Sequence, residues 1–470
     1  MEATAQSVED YLIDGLSFKL KPGASYITNR RSVTYYPHGG NTYSPNGVKV
    51  IKLMLTGSDW LDPNSLRIVY DLVNADSTAN HNLYPISGPW SFFRRVRVLC
   101  GGQIVEDIDY YNHVHEMFHI LQPPEVRRND DAEGFGNGLP SNNQLAINYE
   151  TQTTPTPFQN GYPGIAPGSW STVSLRFLSG IFNQDKFLPI RYCPITIELE
   201  LVNQLTDPVV NPWSQSPETS WRNGDKLSTT WTIQNVMLKA DVVTLDNALD
   251  NEYAQHLLEG KTLPISYNTY VSQLLSLQNS SGNFTANITR SFTRLKSVFT
   301  TFMQTTKCPN TTTNPAADTT FASDFRMDWN MFYHPMIAGV NKTSGYVPYN
   351  PQQEMELQIQ VGSKLYPEYP CKTVKESFYQ LRKCLGTHSG SWHGLDIDQS
   401  DHRSNNFIFA IDTEKMLAAG FTGLNTKAGD LMTIRCKCLG DPALTPDTLY
   451  VVLHSDQILN IRDTGVEVLE

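Results

Sequence analysis

Apolar and polar positions in this chain alternate with period two far more often than with the 3.6-residue period of a helix. Leu66, Ile68, Tyr70 and Leu72 take one side of a run whose other side is Arg67, Val69 and Asp71. Ile195, Ile197, Leu199 and Leu201 alternate with Thr196, Glu198 and Glu200, the signature of an antiparallel strand with one wet face. Runs of this kind predict strands at 27–36, 48–55, 66–73, 92–100, 170–178, 195–201 and 231–245. A second series follows at 265–277, 292–302, 325–333, 355–361, 407–411, 431–438 and 450–461. Asp62-Pro63-Asn64 reads as a turn between strands. Residues 123–168 hold many Pro, Gly and Asn with little period, which predicts a long surface excursion. Loops are predicted at 204–226, 304–320, 334–353 and 386–404.

Two short helices interrupt the strands. In Val96–Leu121 (VRVLCGGQIVEDIDYYNHVHEMFHIL), Val96, Val98 and Cys100 form a strand side and Gly101-Gly102 a turn. Tyr110, Tyr111, Val114, Phe118 and Leu121 then fall at helical spacing, and Pro123-Pro124 ends the helix. A counterpart lies 260 residues on, where Gly362, Val374, Glu376, Phe378 and Leu381 repeat Gly102, Val114, Glu116, Phe118 and Leu121 without a gap. The matching context points to duplication of one domain. On that reading Phe118 and Phe378 anchor equivalent helices, each covering its own sandwich. Gly102, Phe118, Leu121, Gly362, Phe378 and Leu381 are the candidate structural residues.

These elements predict an all-β chain of two tandem eight-stranded antiparallel jelly-roll sandwiches, each with a short helix between its fifth and sixth strands. The predicted division is an N-terminal arm at 1–25 with an amphipathic piece at Tyr11–Phe18, a first roll at 26–245, a linker helix at 246–262 and a second roll at 263–470. Asp246 or Asn247 caps the linker helix and Gly260 stops it.

Composition narrows the function. Of 470 residues 40% are apolar, enough for two full cores, and only 18% are charged. Net charge is −11 and no basic run occurs, so direct nucleic-acid binding is not expected. The first residues lack the cationic and apolar regions of a signal peptide, and no window is apolar enough to span a membrane. Seven cysteines without framework spacing predict reduced thiols. On this reading the five N-x-S/T sites at Asn279, Asn283, Asn287, Asn310 and Asn341 carry no weight.

His115-Glu116-Met117-Phe118-His119 matches H-E-x-x-H, in which histidines four apart share a helix face and hold zinc. No third ligand follows, and Lys375 and Tyr379 stand at the corresponding places of the second helix, so a packed helix is the favoured reading. Asp396, Asp398 and Asp401 outline a calcium loop but lack its glycine and final glutamate, and a solvated acidic loop is favoured, with His393 and His402 beside it. Phosphate loops, nucleophile elbows and dinucleotide fingerprints are absent. Trp60, Trp90, Trp170, Trp221 and Trp231 lie in or beside strands, where core packing is the default. No catalytic residue, metal site or cofactor is assigned.

The segment Phe187-Leu188-Pro189-Ile190-Arg191-Tyr192-Cys193-Pro194, running into the strand at 195–201, is similar to one in the double jelly-roll major capsid proteins of the adenovirus-hexon lineage. Leu295-Lys296-Ser297-Val298-Phe299 and the end of the chain, residues 449–470 closing in GVEVLE, are similar as well. Among these proteins the chain most resembles those of Polinton-like and adintovirus-type viruses. The resemblance implies a non-enzymatic shell protein of a double-stranded DNA virus, made in the host cell, not secreted, and located in the virion. It implies a homotrimer with six sandwiches in a pseudo-hexagonal ring, meeting neighbouring capsomers, penton and minor capsid proteins. The lack of a basic arm leaves room for a membrane or other proteins beneath the shell. The alternative is a two-sandwich carbohydrate-binding or carbohydrate-cleaving protein with a tryptophan-lined groove.

Overall fold

The structure, a computed structural model, describes residues 26–79, 81–135, 164–209, 226–277, 283–303, 354–387, 406–414, 423–427, 431–438 and 448–470, together with 332, 334, 395, 397 and 402. The arm at 1–25, Trp221, the strand at 325–333 apart from Phe332, the acidic residues Asp396, Asp398 and Asp401, and most of the long loops lie outside them.

The chain is mostly antiparallel sheet. Eight principal strands are described in the first half: β1 (Ile27–Tyr35), β2 (Val50–Leu55), β3 (Trp60–Asn74), β4 (Phe93–Cys100), β5 (Gln103–Ile108), β6 (Trp170–Leu175), β7 (Ile195–Leu201) and β8 (Trp231–Leu245). They pair in the orders β1-β8-β3-β6 and β2-β7-β4-β5. The second half holds β9 (Leu263–Ser276), β10 (Asn283–Ile288), β11 (Leu295–Met303), β12 (Met355–Val361), β13 (Lys364–Cys371), β14 (Phe409–Asp412), β15 (Met432–Cys438) and β16 (Thr448–Arg462). Their orders are β9-β16-β11-β14 and β10-β15-β12-β13. Each strand of the second half therefore occupies the place of the strand eight before it in the first. A further strand, β17 (Gly465–Leu469), folds back on the end of β16.

Alternation builds each interior. Ile51, Leu53 and Leu55 of β2 and Ile195, Ile197, Leu199 and Leu201 of β7 are buried, while their neighbours Lys52 and Glu198 pair in solvent at 3.2 Å. In the second half Val298, Ile359, Ile434, Val451 and Leu453 fill a separate core. The larger core belongs to the first half and continues into Phe299, Tyr450, Val452, Leu459 and Ile461 of the second. One apolar body thus runs through the boundary between the halves.

Several elements differ from the sequence expectation. Asp62-Pro63-Asn64 is not a turn but a bulge within the single long strand β3, where Asp241 and Lys239 of β8 face Asp62 and Arg67. A bulge tolerates proline because the ladder is already interrupted there. The Asp241 amide donates to Ser65 Oγ at 2.8 Å instead. The first helix ends at Ile120, before Pro123-Pro124 as expected, but Pro124 then opens a second helix, α2 (Pro124–Glu133), as proline does at a first helical position. The predicted excursion therefore begins as helix. Strands β10, β13 and β17 had not been expected. Pro367 and Pro370 hide β13, which lies at the edge of its sheet, where a missing N–H is tolerated.

The remaining helices are α1 (Tyr111–Ile120), α3 (Asn247–Leu258), which joins the halves, and α4 (Val374–Cys384). Asp246 precedes α3 without a capping side-chain bond, and Gly260 follows it at φ 78°. Cys100, Cys193, Cys371 and Cys384 are free thiols.

Phe92 is fully buried, edge-on to Trp231 at 4.8 Å and to Tyr70 at 6.5 Å. Phe92→Ala is expected to cost ~3–5 kcal/mol through the cavity it leaves. Leu258→Ala, on a side chain 74% exposed, should stay within about 0.5 kcal/mol of the parent. Denaturant unfolding of both variants checks the contrast.

Candidate functional site

The seam between the halves gathers side chains from the turn after β4, from β5, α1 and residues 178–186 of the first half. They meet β9, β11, β16 and β17 of the second. The Phe118 ring lies 4.7 Å from Tyr270 and 5.0 Å from Phe299. His113 packs on Tyr450 at 5.4 Å. The Tyr267 hydroxyl lies 3.0 Å from the Val105 carbonyl and 2.7 Å from Gln457 Oε1, and its single proton goes to one of them at a time. Ser272 donates to the Asp109 carbonyl, and Lys186 Nζ to the Pro264 carbonyl at 2.9 Å. A Cβ on Gly180 would collide with the backbone of Asn268, so only glycine lets the two backbones come this close. Val466 of β17 closes over Gly101.

Glu106 is buried in this seam. It accepts from Ser179 Oγ, from the Gly180 amide at 2.9 Å and from Thr269 across the boundary. Burial disfavours its charge more than these donors favour it, and its pKa rises from 4.5 to about 7.

The H-E-x-x-H helix is engaged in packing. Glu116 Oε2 accepts from Trp90 Nε1 at 2.7 Å and from Ser87 Oγ. His115 stacks on the same indole at 4.2 Å, with burial holding its pKa down to about 3. His119 lies 4.5 Å from Trp90 and 3.5 Å from Asp130. Among the described residues no three metal-ligating side chains cluster. Trp60, Trp90 and Trp231 are buried, whereas Trp170 is 64% exposed, against the expectation of core packing.

The six candidate structural residues do not form two equivalent sets. Gly102 and Gly362 both turn at positive φ, 85° and 58°. Leu121 and Leu381 are both buried. Phe118, however, reaches across the seam to Tyr270 and Phe299, whereas Phe378 meets His402 of its own half at 4.8 Å. Val114 is the fourth residue of α1, but Val374 is the first of α4. The helix α1 rests on β4 and the Pro89–Phe92 turn, and α4 rests on β14. Glu376 closes a capping box with Thr373, whereas Glu116 binds Trp90. The repetition is carried by strand order, and the helices differ in placement.

No protein-family model matches the chain, and no curated protein does. Solved structures share its fold. A chain of the Sputnik virophage structure is similar at TM-score 0.58 and 12% identity, covering 99% of this chain and 94% of that one. PBCV-1 VP54 is similar at TM-score 0.56 and 12% identity, over 96% and 98% of the two chains. The Faustovirus major capsid protein gives TM-score 0.54 and 9% identity, over 96% and 93%. At such identities the likeness is one of fold.

Two tests follow from the site. The unfolded chain titrates Glu106 near 4.5 and the folded chain near 7. Its contribution to stability is therefore full below pH 4.5 and lost as pH rises through 7. Glu106→Gln should hold its low-pH stability to higher pH than the parent does. Melting temperatures across that range measure this, and parallel curves would contradict it. Glu116→Ala should cost ~1–3 kcal/mol by stranding the Trp90 N–H. His115→Ala and His119→Ala should leave assembly nearly unchanged, and elemental analysis of the parent should find no stoichiometric zinc.

Proposed function

We propose that this chain is a major capsid protein, forming a homotrimeric pseudo-hexagonal capsomer of the icosahedral shell of a double-stranded DNA virus. The observation that carries the reading is fold likeness along nearly the whole length of both chains to PBCV-1 VP54 and the Faustovirus major capsid protein. A shared module would leave much of one chain unmatched. On this reading each half is an eight-stranded jelly roll with a helix between its fifth and sixth strands, which the repeated sheet orders support. The first roll is residues 26–245, the second 263–470, and α3 links them.

The chain acts by shape and contact area and not by catalysis. Its place is the virion, beside neighbouring capsomers, penton and minor capsid proteins, with the genome bound by other components. The motifs at 187–201, 295–299 and 449–470 support membership of the adenovirus-hexon lineage, near Polinton-like viruses. The carbohydrate reading is less favoured, since of the described tryptophans Trp60, Trp90 and Trp231 are buried and Trp170 alone is exposed.

Light scattering of the purified full chain tests the proposal. The expected mass is three times 52.9 kDa, with shells or sheets at high concentration. A monomer that binds glycans would overturn it.

A further inference from the structure

Two buried thiols meet beside the seam. Cys100 ends β4 and pairs in register with Ile195, the first residue of β7. The two chains stay together one residue further, where the Gly101 amide donates to the Pro194 carbonyl at 2.9 Å. Cys193 lies two residues before Ile195, so strand alternation carries its side chain to the face that holds Ile195 and Cys100. A turn closed by the Cys193 amide on the Pro189 carbonyl, at 2.9 Å, keeps it there. The Cys100 and Cys193 side chains are buried, and their thiols hydrogen-bond each other. Gly101, the next residue after Cys100, lies under Val466 of β17, so the pair stands at the edge of the joint between the halves.

A disulfide needs Cα atoms within about 7 Å of each other and side chains turned together. Thiols in hydrogen-bond contact from neighbouring strands are within reach of that geometry. Other described cysteines are not so placed. Cys371 and Cys436 both pair with Leu357 of β12, but from the strands on its two sides. They are therefore two strand spacings apart, roughly 10 Å. Cys384 hydrogen-bonds Ser297 instead. Position in the sheet singles out Cys100 and Cys193, which the spacing of cysteines along the chain does not.

We propose that Cys100 and Cys193 form a redox site, which a small-molecule disulfide oxidises to an internal bond tying the end of β4 to the entry of β7. Arg191, two residues before Cys193, is exposed, so this turn is the side from which the pair is reached. When the turn opens, the Cys193 thiolate attacks one sulfur of the reagent, whose S–S bond breaks. One reagent thiolate leaves and takes up the proton that Cys193 lost. The Cys100 thiolate then attacks the Cys193 sulfur of this mixed disulfide, and the second reagent thiol leaves with the Cys100 proton. Two electrons pass from the pair to the reagent. The bond closes a long loop that contains β5, α1, α2 and β6, and a bond across a long loop restricts the unfolded chain most. The site rests on the thiol contact and is independent of the capsid reading. On that reading the bond is absent in the chain as made in a reducing cell and forms once the shell reaches oxidising surroundings.

The test uses the full chain, purified reduced and then held folded in excess oxidised glutathione. Two of its seven thiols should disappear, counted with a maleimide after denaturation. Peptide mapping without reductant should find the peptides of Cys100 and Cys193 joined within one chain. The melting temperature should rise by ~5 °C or more and return when reductant is added. Cys100→Ala and Cys193→Ala should each prevent the link and the rise, whereas Cys371→Ala, on a buried cysteine outside the pair, should keep both. If a variant fails to fold, the peptide map of the parent still decides. Seven thiols left in the oxidised parent, a stable glutathione adduct on Cys193 without closure, or a link through other cysteines overturns the site. Light scattering of the same samples keeps the two readings apart. A trimer without the link overturns this site alone, and a linked chain that stays monomeric overturns the capsid reading alone.

Discussion

The structure depends on an aromatic joint made in the absence of any continuous sheet across it. Among the described residues no principal strand pairs from one half to the other. The halves hold because Phe118 fills a place between Tyr270 and Phe299, while β5 and β9 exchange hydrogen bonds through Tyr267 and Thr269. Offset and edge-on aromatic pairs contribute about 0.5–1.5 kcal/mol each beyond the area they bury. The joint also fixes which way each sandwich faces, and so which edges remain for other contacts.

Polar groups in this joint are matched. The buried Tyr267 hydroxyl has two acceptors within reach of its one proton. Glu106 has donors from two segments of chain, yet burial still shifts it towards the protonated form. In the first half, Glu116 solves the same problem for the Trp90 indole N–H. Such groups specify a single arrangement, because a shifted packing leaves a donor or acceptor unpaired.

Much of the β-architecture was legible. The strand at Ile195–Leu201 and that at Trp231–Leu245 have the limits their period predicts, because one face is buried and the other wet. The linker helix and its closing glycine were legible for a local reason, glycine's access to positive φ. The H-E-x-x-H motif was legible as a helix, whereas the packing of Glu116 and His115 on Trp90 comes from the fold. Strand β13 was not legible, because prolines that forbid a central strand are harmless at an edge, and being at an edge is a property of the sheet. Gly180 and Glu106 carry no local signal at all. Their importance comes from Asn268 and Thr269, which lie more than 80 residues away along the chain.

The sequence by itself determined the local choices: which segments extend, which face of each is apolar, and where glycine permits a turn. These follow from short-range sterics and from the two-residue period of a strand. Only the tertiary structure decided how the two halves meet. The five identities between Val96–Leu121 and its counterpart suggested two equivalent helices, yet Glu116 braces an indole and Glu376 caps a helix. One half must lie against the other, so the same strand order meets different neighbours in its two copies. Contact then gives like residues unlike roles, and that asymmetry is set by packing over long sequence separations, which no local pattern records.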